Sequence, residues 1–281
     1  MLLKKNINQV ESVVHQQIRP NTPQIHITQS TQFDIKKFFL NMSKEDLSKL
    51  QNNESRIKKT YEENGLENFI CSPFEGLCAG SVYAIIKQLM LKPNSDPKQL
   101  TRFLNSQEGK LYAFMFQTFL GAAPISRPSL TDAFLIDEMF NRDLEAEKIV
   151  QIQVETTTGI SPDQVHYYIQ NKKNVYPSTL NDSSIYALAK HFDGKYLAIG
   201  LEDINGNGHS IFLYSSDEMN KHYFYDSQTA FFSCCSKEIL TKAILTNFNI
   251  TKSTQLKIKH ITAITPLSGR NLCQKNKKIF T

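Results

Sequence analysis

The hydrophobic period of this chain changes near residue 192. Between 98 and about 192 apolar residues recur three and four positions apart, as in KQLTRFLN and GKLYAFMFQTFL, which is typical of amphipathic helices. Short β-rich runs follow, including KYLAIGLED, HSIFLYSS and HYFYDSQTAFFS, and they are separated by turn sequences such as NGNG and SDEMNK. A helix, SKEILTKAILTNF, and a last strand, QLKIKHITAITPL, come after them. Helices first and antiparallel strands later predict an α+β fold with a central antiparallel sheet, on which the early helices pack.

Three regions of the chain differ in character. Residues 1–65 are expected to form a polar N-terminal extension with one helix, DIKKFFLNMSKEDLSKLQNN, after a weakly ordered arm over residues 1 to about 33. Residues 66–270 are expected to form the main domain, and 271–281 a basic tail. Within the helical region, SPDQVHYYIQN is interpreted as a further helix because Ser161-Pro162 is a helix-start signal.

Composition narrows the class of function. The chain of 281 residues has five cysteines without paired C-x-x-C spacing, which indicates free thiols in a reducing compartment. The net charge of +5 comes from scattered lysines without an aromatic-plus-basic pattern, so we expect no nucleic-acid partner. No apolar stretch approaches the roughly 20 residues that cross a bilayer, and no signal-peptide core is visible, so neither membrane association nor Sec export is indicated.

Known cofactor and metal motifs do not occur in the sequence. There is no P-loop, no dinucleotide fingerprint and no H-E-x-x-H motif. The adjacent pair Cys234-Cys235 lacks a zinc spacing, and the turn EDINGNG lacks the spacing and closing glutamate of a calcium loop. We therefore expect no cofactor and no metal.

One cysteine lies where a helix is predicted to begin. In EGLCAGSVYAIIKQLM the apolar residues fall at helical spacing, at Val82, Ile85, Ile86 and Leu89. Cys78 is four positions before Val82, so its thiol is expected on the same buried face, directed toward the sheet. Unpaired N–H groups of a first helical turn stabilise a thiolate and lower the pKa of a cysteine there. Cys78 is therefore a candidate nucleophile, whereas the alternative is a small buried core residue.

A histidine and an aspartate in the later strands are candidate partners for this thiol. His209 follows the NGNG turn and begins the run HSIFLY, and the next run, HYFYDSQ, contains Asp226. If the hairpin loop spans about 215 to 220, position 209 lies directly opposite position 226, with Cβ atoms about 4.5–5.5 Å apart. A carboxylate that orients an imidazole, whose other nitrogen faces a thiol, is the pair that a Cys–His catalyst requires.

Each of these residues also has a structural interpretation. His209 is able to cap a turn, and Asp226 to form an Asx-turn at the end of its strand. His222, which begins the same run as Asp226, is an alternative functional histidine. The sequence leaves these alternatives open.

Taken together, the three motifs resemble those of papain-like cysteine peptidases, above all the YopT-type group of bacterial effector proteases. The resembling motifs are a G-x-C that opens a helix (GLCAGSVYAI), a later GHS that enters a strand, and an aromatic YFYD strand that ends in the acid. The layout resembles the family over about residues 66–270. It departs from the family after the acid, where Ser227-Gln228 stands in place of Pro and Asn.

The resemblance implies a papain-like α+β fold, in which the helix that bears the nucleophile packs on the antiparallel sheet. It assigns Cys78 as the nucleophile, His209 as the general base and Asp226 as the orienting acid. The backbone N–H of Cys78 is one expected oxyanion donor. Asn68 and Ser72, upstream of the cysteine, are the candidates for the second donor.

The function that the resemblance implies is a thiol peptidase that forms an acyl-enzyme thioester and cleaves a host protein. It also implies secretion by a specialised bacterial system into the host cytosol. A transglutaminase, deamidase or acyltransferase with the same triad is an alternative, because an amine as well as water resolves a thioester. A non-enzymatic protein-binding module is the other alternative.

Overall fold

In a computed structural model, the chain is described over residues 26–29, 77–120, 147–169 and 179–266, with gaps inside the last two ranges, and at a few positions between 43 and 59. The expected boundaries near residues 65 and 271 lie outside the described residues. The two upstream oxyanion candidates, Asn68 and Ser72, lie outside them as well.

The described helices lie before the predicted helical region, within it and near the C-terminal end. They are α1 (Cys78–Leu91), α2 (Pro97–Asn105), α3 (Gln107–Leu120), α4 (Asp182–His191) and α5 (Lys237–Asn247). Two of them begin with a capping box, because Asp96 caps α2 and Asn181 caps α4 through side-chain oxygens. These five helices confirm the corresponding sequence predictions.

The described strands form one antiparallel sheet. They are β1 (His26–Gln29), β2 (Val165–Ile169), β3 (Tyr196–Glu202), β4 (Gly208–Ser216), β5 (Lys221–Asp226), β6 (Ala230–Cys234) and β7 (Lys257–Ile264). Their order across the sheet is β1-β6-β5-β4-β3-β7-β2. The predicted α+β fold with a central antiparallel sheet is therefore present in the described residues, and β4 lies at its centre.

Both faces of the sheet are covered, and the strand residues divide between them by alternation. On β3, Tyr196 and Ala198 join a cluster with α1 and α3, whereas Leu197 and Ile199 join a second cluster with α4 and α5. Helix α1 lies between α3 and the sheet, and most of its residues are buried. This packing confirms the prediction that the cysteine-bearing helix packs on the later sheet.

The helix predicted for SPDQVHYYIQN is wrong. Pro162–Gln164 form a single 3₁₀ turn, and Val165–Ile169 form strand β2, which pairs with β7. Val165 and Tyr167 are buried while His166 and Tyr168 are partly exposed, so the true period is two. The β-branched and aromatic residues of this segment favour a strand, and they outweigh the helix-start signal at Ser161-Pro162.

The prediction of a weakly ordered arm over residues 1 to about 33 is also wrong in part. His26–Gln29 form strand β1, which pairs antiparallel with β6 so that His26 lies opposite Ser233. The hydrogen bonds of this strand come from the backbone of a partner some 200 residues later in the chain. Such long-range pairing leaves no local hydrophobic period, so no sequence pattern indicated this strand.

Within the described residues, no helix combines the length and the apolar character needed to cross a membrane.

The contact between α1 and α3 depends on Gly80. A Cβ atom at this position would lie 1.9 Å from the backbone oxygen of Ala113 on α3. Gly80→Ala is therefore expected to lower the free energy of unfolding by about 2 to 3 kcal/mol, because backbone and not a flexible side chain must move. Thermal unfolding measures the loss. Gly208→Ala is the matched control, since a Cβ there meets no atom within 4 Å, and an equal loss in both variants would contradict the packing described.

Candidate active site

The site begins at the first turn of α1. Cys78 is the first residue of the helix and is half-buried, four residues before the fully buried Val82. Its thiol therefore lies on the packing face, as the helical spacing predicts. Leu77 occupies the N-cap position and provides no side-chain hydrogen bond to the turn. The backbone N–H groups of this first turn therefore need hydrogen-bond acceptors from other residues.

His209 and Asp226 form a direct contact at the end of the sheet where β4 begins. The distance from His209 Nε2 to Asp226 Oδ1 is 2.8 Å, with 16% of the histidine side chain and 2% of the aspartate side chain exposed. A buried carboxylate at this distance accepts a hydrogen bond from Nε2–H and fixes the orientation of the ring. The other ring nitrogen, Nδ1, is therefore available for a hydrogen bond with a different group.

The register that brings these two residues together differs from the predicted one by two positions. Asp226 lies directly opposite Ile211, because the hairpin loop comprises only residues 217–220 and Ser215 and Ser216 remain paired in β4. The prediction of His209 directly opposite Asp226 is therefore wrong. A shift of two positions keeps both side chains on one face, and diagonal neighbours on a sheet are within reach of a histidine side chain.

The third group, Cys78, hydrogen-bonds with the His209 side chain. Burial alone raises the pKa of the Cys78 thiol, but the hydrogen bond and positive charge of His209 outweigh it. The backbone N–H groups of Ser210 and Ala79 add to this effect, so the pKa of the thiol lies below its ordinary value. The three residues singled out by the sequence therefore meet at one point.

The protonation of His209 follows from the same contacts. Burial lowers the pKa of the imidazole, but hydrogen bonds and negative charge from Asp226 and Cys78 raise it to about 9. The lowered pKa of the thiol and the raised pKa of the imidazole both favour a thiolate beside an imidazolium over the uncharged pair. Such a pair has the chemical properties that a thiol nucleophile and its proton donor require.

The N–H groups of the first helical turn are divided among identifiable acceptors. Ser81 N–H donates to the Leu77 carbonyl at 2.9 Å, Gly80 N–H to Gln117 Oε1 at 2.8 Å, and Ala79 N–H to the sulfur of Cys78. The Cys78 N–H has no hydrogen-bond partner among the residues that the structure describes. It remains the predicted oxyanion donor. The other candidates, Asn68 and Ser72, stay predictions because they lie outside the described residues.

Two partners of this turn were missed by the sequence analysis. The backbone N–H of Ser210 donates to the sulfur of Cys78. Every residue except proline has such a donor, so no residue type marks this position in the sequence. Gln117 lies on α3, 37 positions after Gly80. Only the packing of α3 against Gly80 brings it to the helix start, and no local sequence signal indicates such a contact.

The other candidate residues lie elsewhere. His222 is buried on β5, pairs across the sheet with Cys234 and contacts the Ser215 hydroxyl at 2.9 Å through Nδ1. Burial lowers the pKa of His222, and burial raises the pKa of the Cys234 thiol to about 11. Both groups are therefore uncharged near neutral pH, and both lie at the opposite end of β5 from Asp226. The described residues contain no group of three His, Cys, Asp or Glu side chains placed to hold a metal ion.

No protein-family model and no curated protein matches this chain. Among solved structures, it is similar to the Pseudomonas avirulence protein AvrPphB, with 13% sequence identity and a TM-score of 0.42. The similarity covers 67% of this chain and 89% of that one. At this TM-score the likeness does not establish a shared family.

Proposed function

We propose that this protein is a thiol peptidase in which Cys78 is the nucleophile, His209 the acid and base, and Asp226 the residue that orients His209. The observation that carries the proposal is the contact of all three side chains, because a lone helix cysteine or a lone strand histidine has an ordinary structural explanation. The lowered pKa of the thiol and the raised pKa of the imidazole support it further.

The geometry supports acyl transfer in two halves. The Cys78 thiolate attacks the carbonyl carbon of an amide, and the negative charge that develops on the oxygen is stabilised by the Cys78 N–H. The His209 imidazolium then donates its proton to the leaving nitrogen, so that the C–N bond breaks and a thioester remains. Water attacks the thioester while neutral His209 accepts a proton from it, and the thiolate leaves, which restores the ion pair.

This mechanism predicts a bell-shaped dependence of kcat/KM on pH. The acid limb follows protonation of the Cys78 thiolate, and the alkaline limb follows loss of the His209 proton at about pH 9. The sign is fixed by the roles, since catalysis requires a deprotonated thiol and a protonated ring together. Initial rates between pH 4 and pH 10 on a fluorogenic peptide measure the profile. Activity that keeps rising through pH 9 would show that no imidazolium is required.

The reaction itself is tested with an unfolded protein such as casein, incubated with the full chain in the presence and absence of a fluorescent primary amine. A peptidase releases peptides whether or not the amine is present. A transglutaminase or acyltransferase incorporates the amine into intact casein, and a deamidase raises the mass of glutamine-containing peptides by the exchange of NH₂ for OH. If the chain does none of these but binds a protein, the non-enzymatic alternative replaces the proposal.

We also propose a bacterial effector setting, in which the enzyme is secreted into a host cytosol and acts on a host protein. This part of the proposal rests on the resemblance of the three motifs to YopT-type enzymes. Expression of the active chain and of Cys78→Ala in host cells, followed by comparison of protein termini in the two samples, tests it. New termini that depend on Cys78 support a host substrate, and identical termini oppose one.

A further inference from the structure

The first turn of α1 receives its cap from another helix. The apolar Leu77 at the N-cap position provides no side-chain acceptor. Gln117 on α3 supplies one instead, since its Oε1 accepts the Gly80 N–H at 2.8 Å in a buried position. The close approach of the two helices makes this contact possible, because Gly80 has no Cβ to collide with Ala113. The turn that carries Cys78 is thus held by a side chain outside its own segment.

The acceptor at this point is uncharged. The partial positive charge of a helix N-terminus stabilises carboxylates, but a glutamate at this buried position would also lose its hydration. A carboxylate on the Gly80 N–H would, however, lie within one helical turn of Cys78. A like charge at that separation raises the pKa of a thiol and opposes the thiolate.

We propose that Gln117 is a positioning residue for the nucleophile, whose neutral amide holds the first turn of α1 and leaves the positive field of that turn to the Cys78 thiolate. The inference rests on the proposed nucleophilic role of Cys78. Gln117 acts through Gly80 and through the field at the helix start, and it is not assigned a contact with substrate.

The effect of a new charge on the Cys78 thiol depends on the charged and titratable groups already near it. His209 faces the sulfur from β4, and Tyr225 and Asp226 on β5 lie next to the pair. At the same end of the sheet, Glu202 on β3 is neutralised by Lys259 at 3.0 Å. The charged residues of α3 lie away from this turn, at Glu108 and Lys110, about two helical turns or more before Gln117. On α1, the Lys87 ammonium lies over the rings of Tyr112 and Phe116, 4.5 and 5.7 Å from their centroids. A charge placed at position 117 therefore adds a new negative neighbour to the thiol, whose own cationic partner is His209.

Gln117→Glu tests the proposal because it keeps an oxygen acceptor for the Gly80 N–H while it replaces the amide NH₂ by a second oxygen and adds a negative charge. The measurement is the rate of Cys78 alkylation by iodoacetamide as a function of pH, resolved by peptide mass spectrometry, together with thermal unfolding. We expect an unfolding temperature below that of the parent chain, because the carboxylate loses hydration at this buried position. We expect the alkylation midpoint to rise by about one pH unit, which corresponds to a roughly tenfold slower reaction below the midpoint. A purely structural cap would leave the midpoint unchanged.

Gln99→Glu is the matched control. Gln99 Oε1 accepts the Asp96 N–H at 2.9 Å at the start of α2, so it makes the same kind of contact at a helix that does not carry the cysteine. This variant is expected to keep both the unfolding temperature and the alkylation midpoint. Equal midpoints in Gln99→Glu and Gln117→Glu would overturn the proposal.

Gln117→Met separates capping from charge, since it removes the acceptor without adding a negative group. It is expected to lower the unfolding temperature and to move the midpoint by less than Gln117→Glu does. An unchanged unfolding temperature would overturn the cap, even if the glutamate variant fails to fold. Failure of the proposed function has a different signature, because Cys78 of the parent chain would then react no faster than the exposed Cys235.

Discussion

Cys78→Ala is expected to abolish amide hydrolysis and to leave the fold intact. Without the sulfur no thioester forms, and loss of a nucleophile of this kind lowers kcat by about 10⁴-fold or more. The stability effect is small by comparison, about 1 kcal/mol or less, because the substitution removes one half-buried atom from the start of a helix. Hydrolysis of a fluorogenic peptide and thermal unfolding of the same sample measure the two effects separately.

The control for this substitution is Cys235→Ala. Cys235 is an exposed free thiol outside the site, so its removal is expected to leave the rate unchanged. Cys78→Ser is a second useful variant, because it keeps a hydroxyl of similar size beside His209 yet loses the acidity of the thiol. Activity within tenfold of the parent in either Cys78 variant would contradict a thioester mechanism.

Asp226→Asn is expected to have the second largest effect, a loss of about 10²-fold or more in kcat/KM. The amide has the shape of the carboxylate, so packing around this buried residue is preserved. Its charge is gone, however, and the contribution that raises the pKa of His209 to about 9 is lost with it. The alkaline limb of the pH profile then moves to lower pH, and the fraction of ion pair at neutral pH falls.

Asp217→Asn is the matched control for the loss of an aspartate charge. Asp217 pairs with Lys237 at 2.7 Å in the turn after β4, at the opposite end of that strand from His209. Its replacement is expected to leave the pH profile in place. An unmoved alkaline limb in Asp226→Asn would show that the 2.8 Å contact with His209 does not set the protonation of the ring.

The positions of the three site residues could be predicted because each depends on a local pattern. Cys78 shares the face of Val82 through helical spacing, and His209 shares the face of Asp226 through strand alternation. The predicted hairpin loop was too long by two residues, which changed the opposed partner of Asp226 to Ile211. Because side chains alternate with a period of two, this error preserved the shared face and therefore the contact.

The parts that could not be predicted depend on contacts between distant segments. Gln117 reaches the first turn of α1 only through the packing of two helices, and β1 exists only through pairing with β6. Strand β2 was mistaken for a helix because Ser161-Pro162 is a start signal for both an α-helix and a 3₁₀ turn. In that segment Val165 and Tyr167 are buried and the residue between them is not, which is the alternation of a strand. The sequence spacing was interpreted as helical instead.

The most direct measurement of the thiolate–imidazolium pair is the rate of iodoacetamide alkylation at pH 6.5 for each described cysteine, in the parent chain and in His209→Ala. In the parent, half-buried Cys78 is expected to react at least about tenfold faster than exposed Cys235, since the thiolate is the reactive species. In His209→Ala that advantage is expected to disappear while Cys235 is unaffected. Equal rates for the two cysteines in the parent chain, or an undiminished Cys78 rate without His209, would contradict the pair.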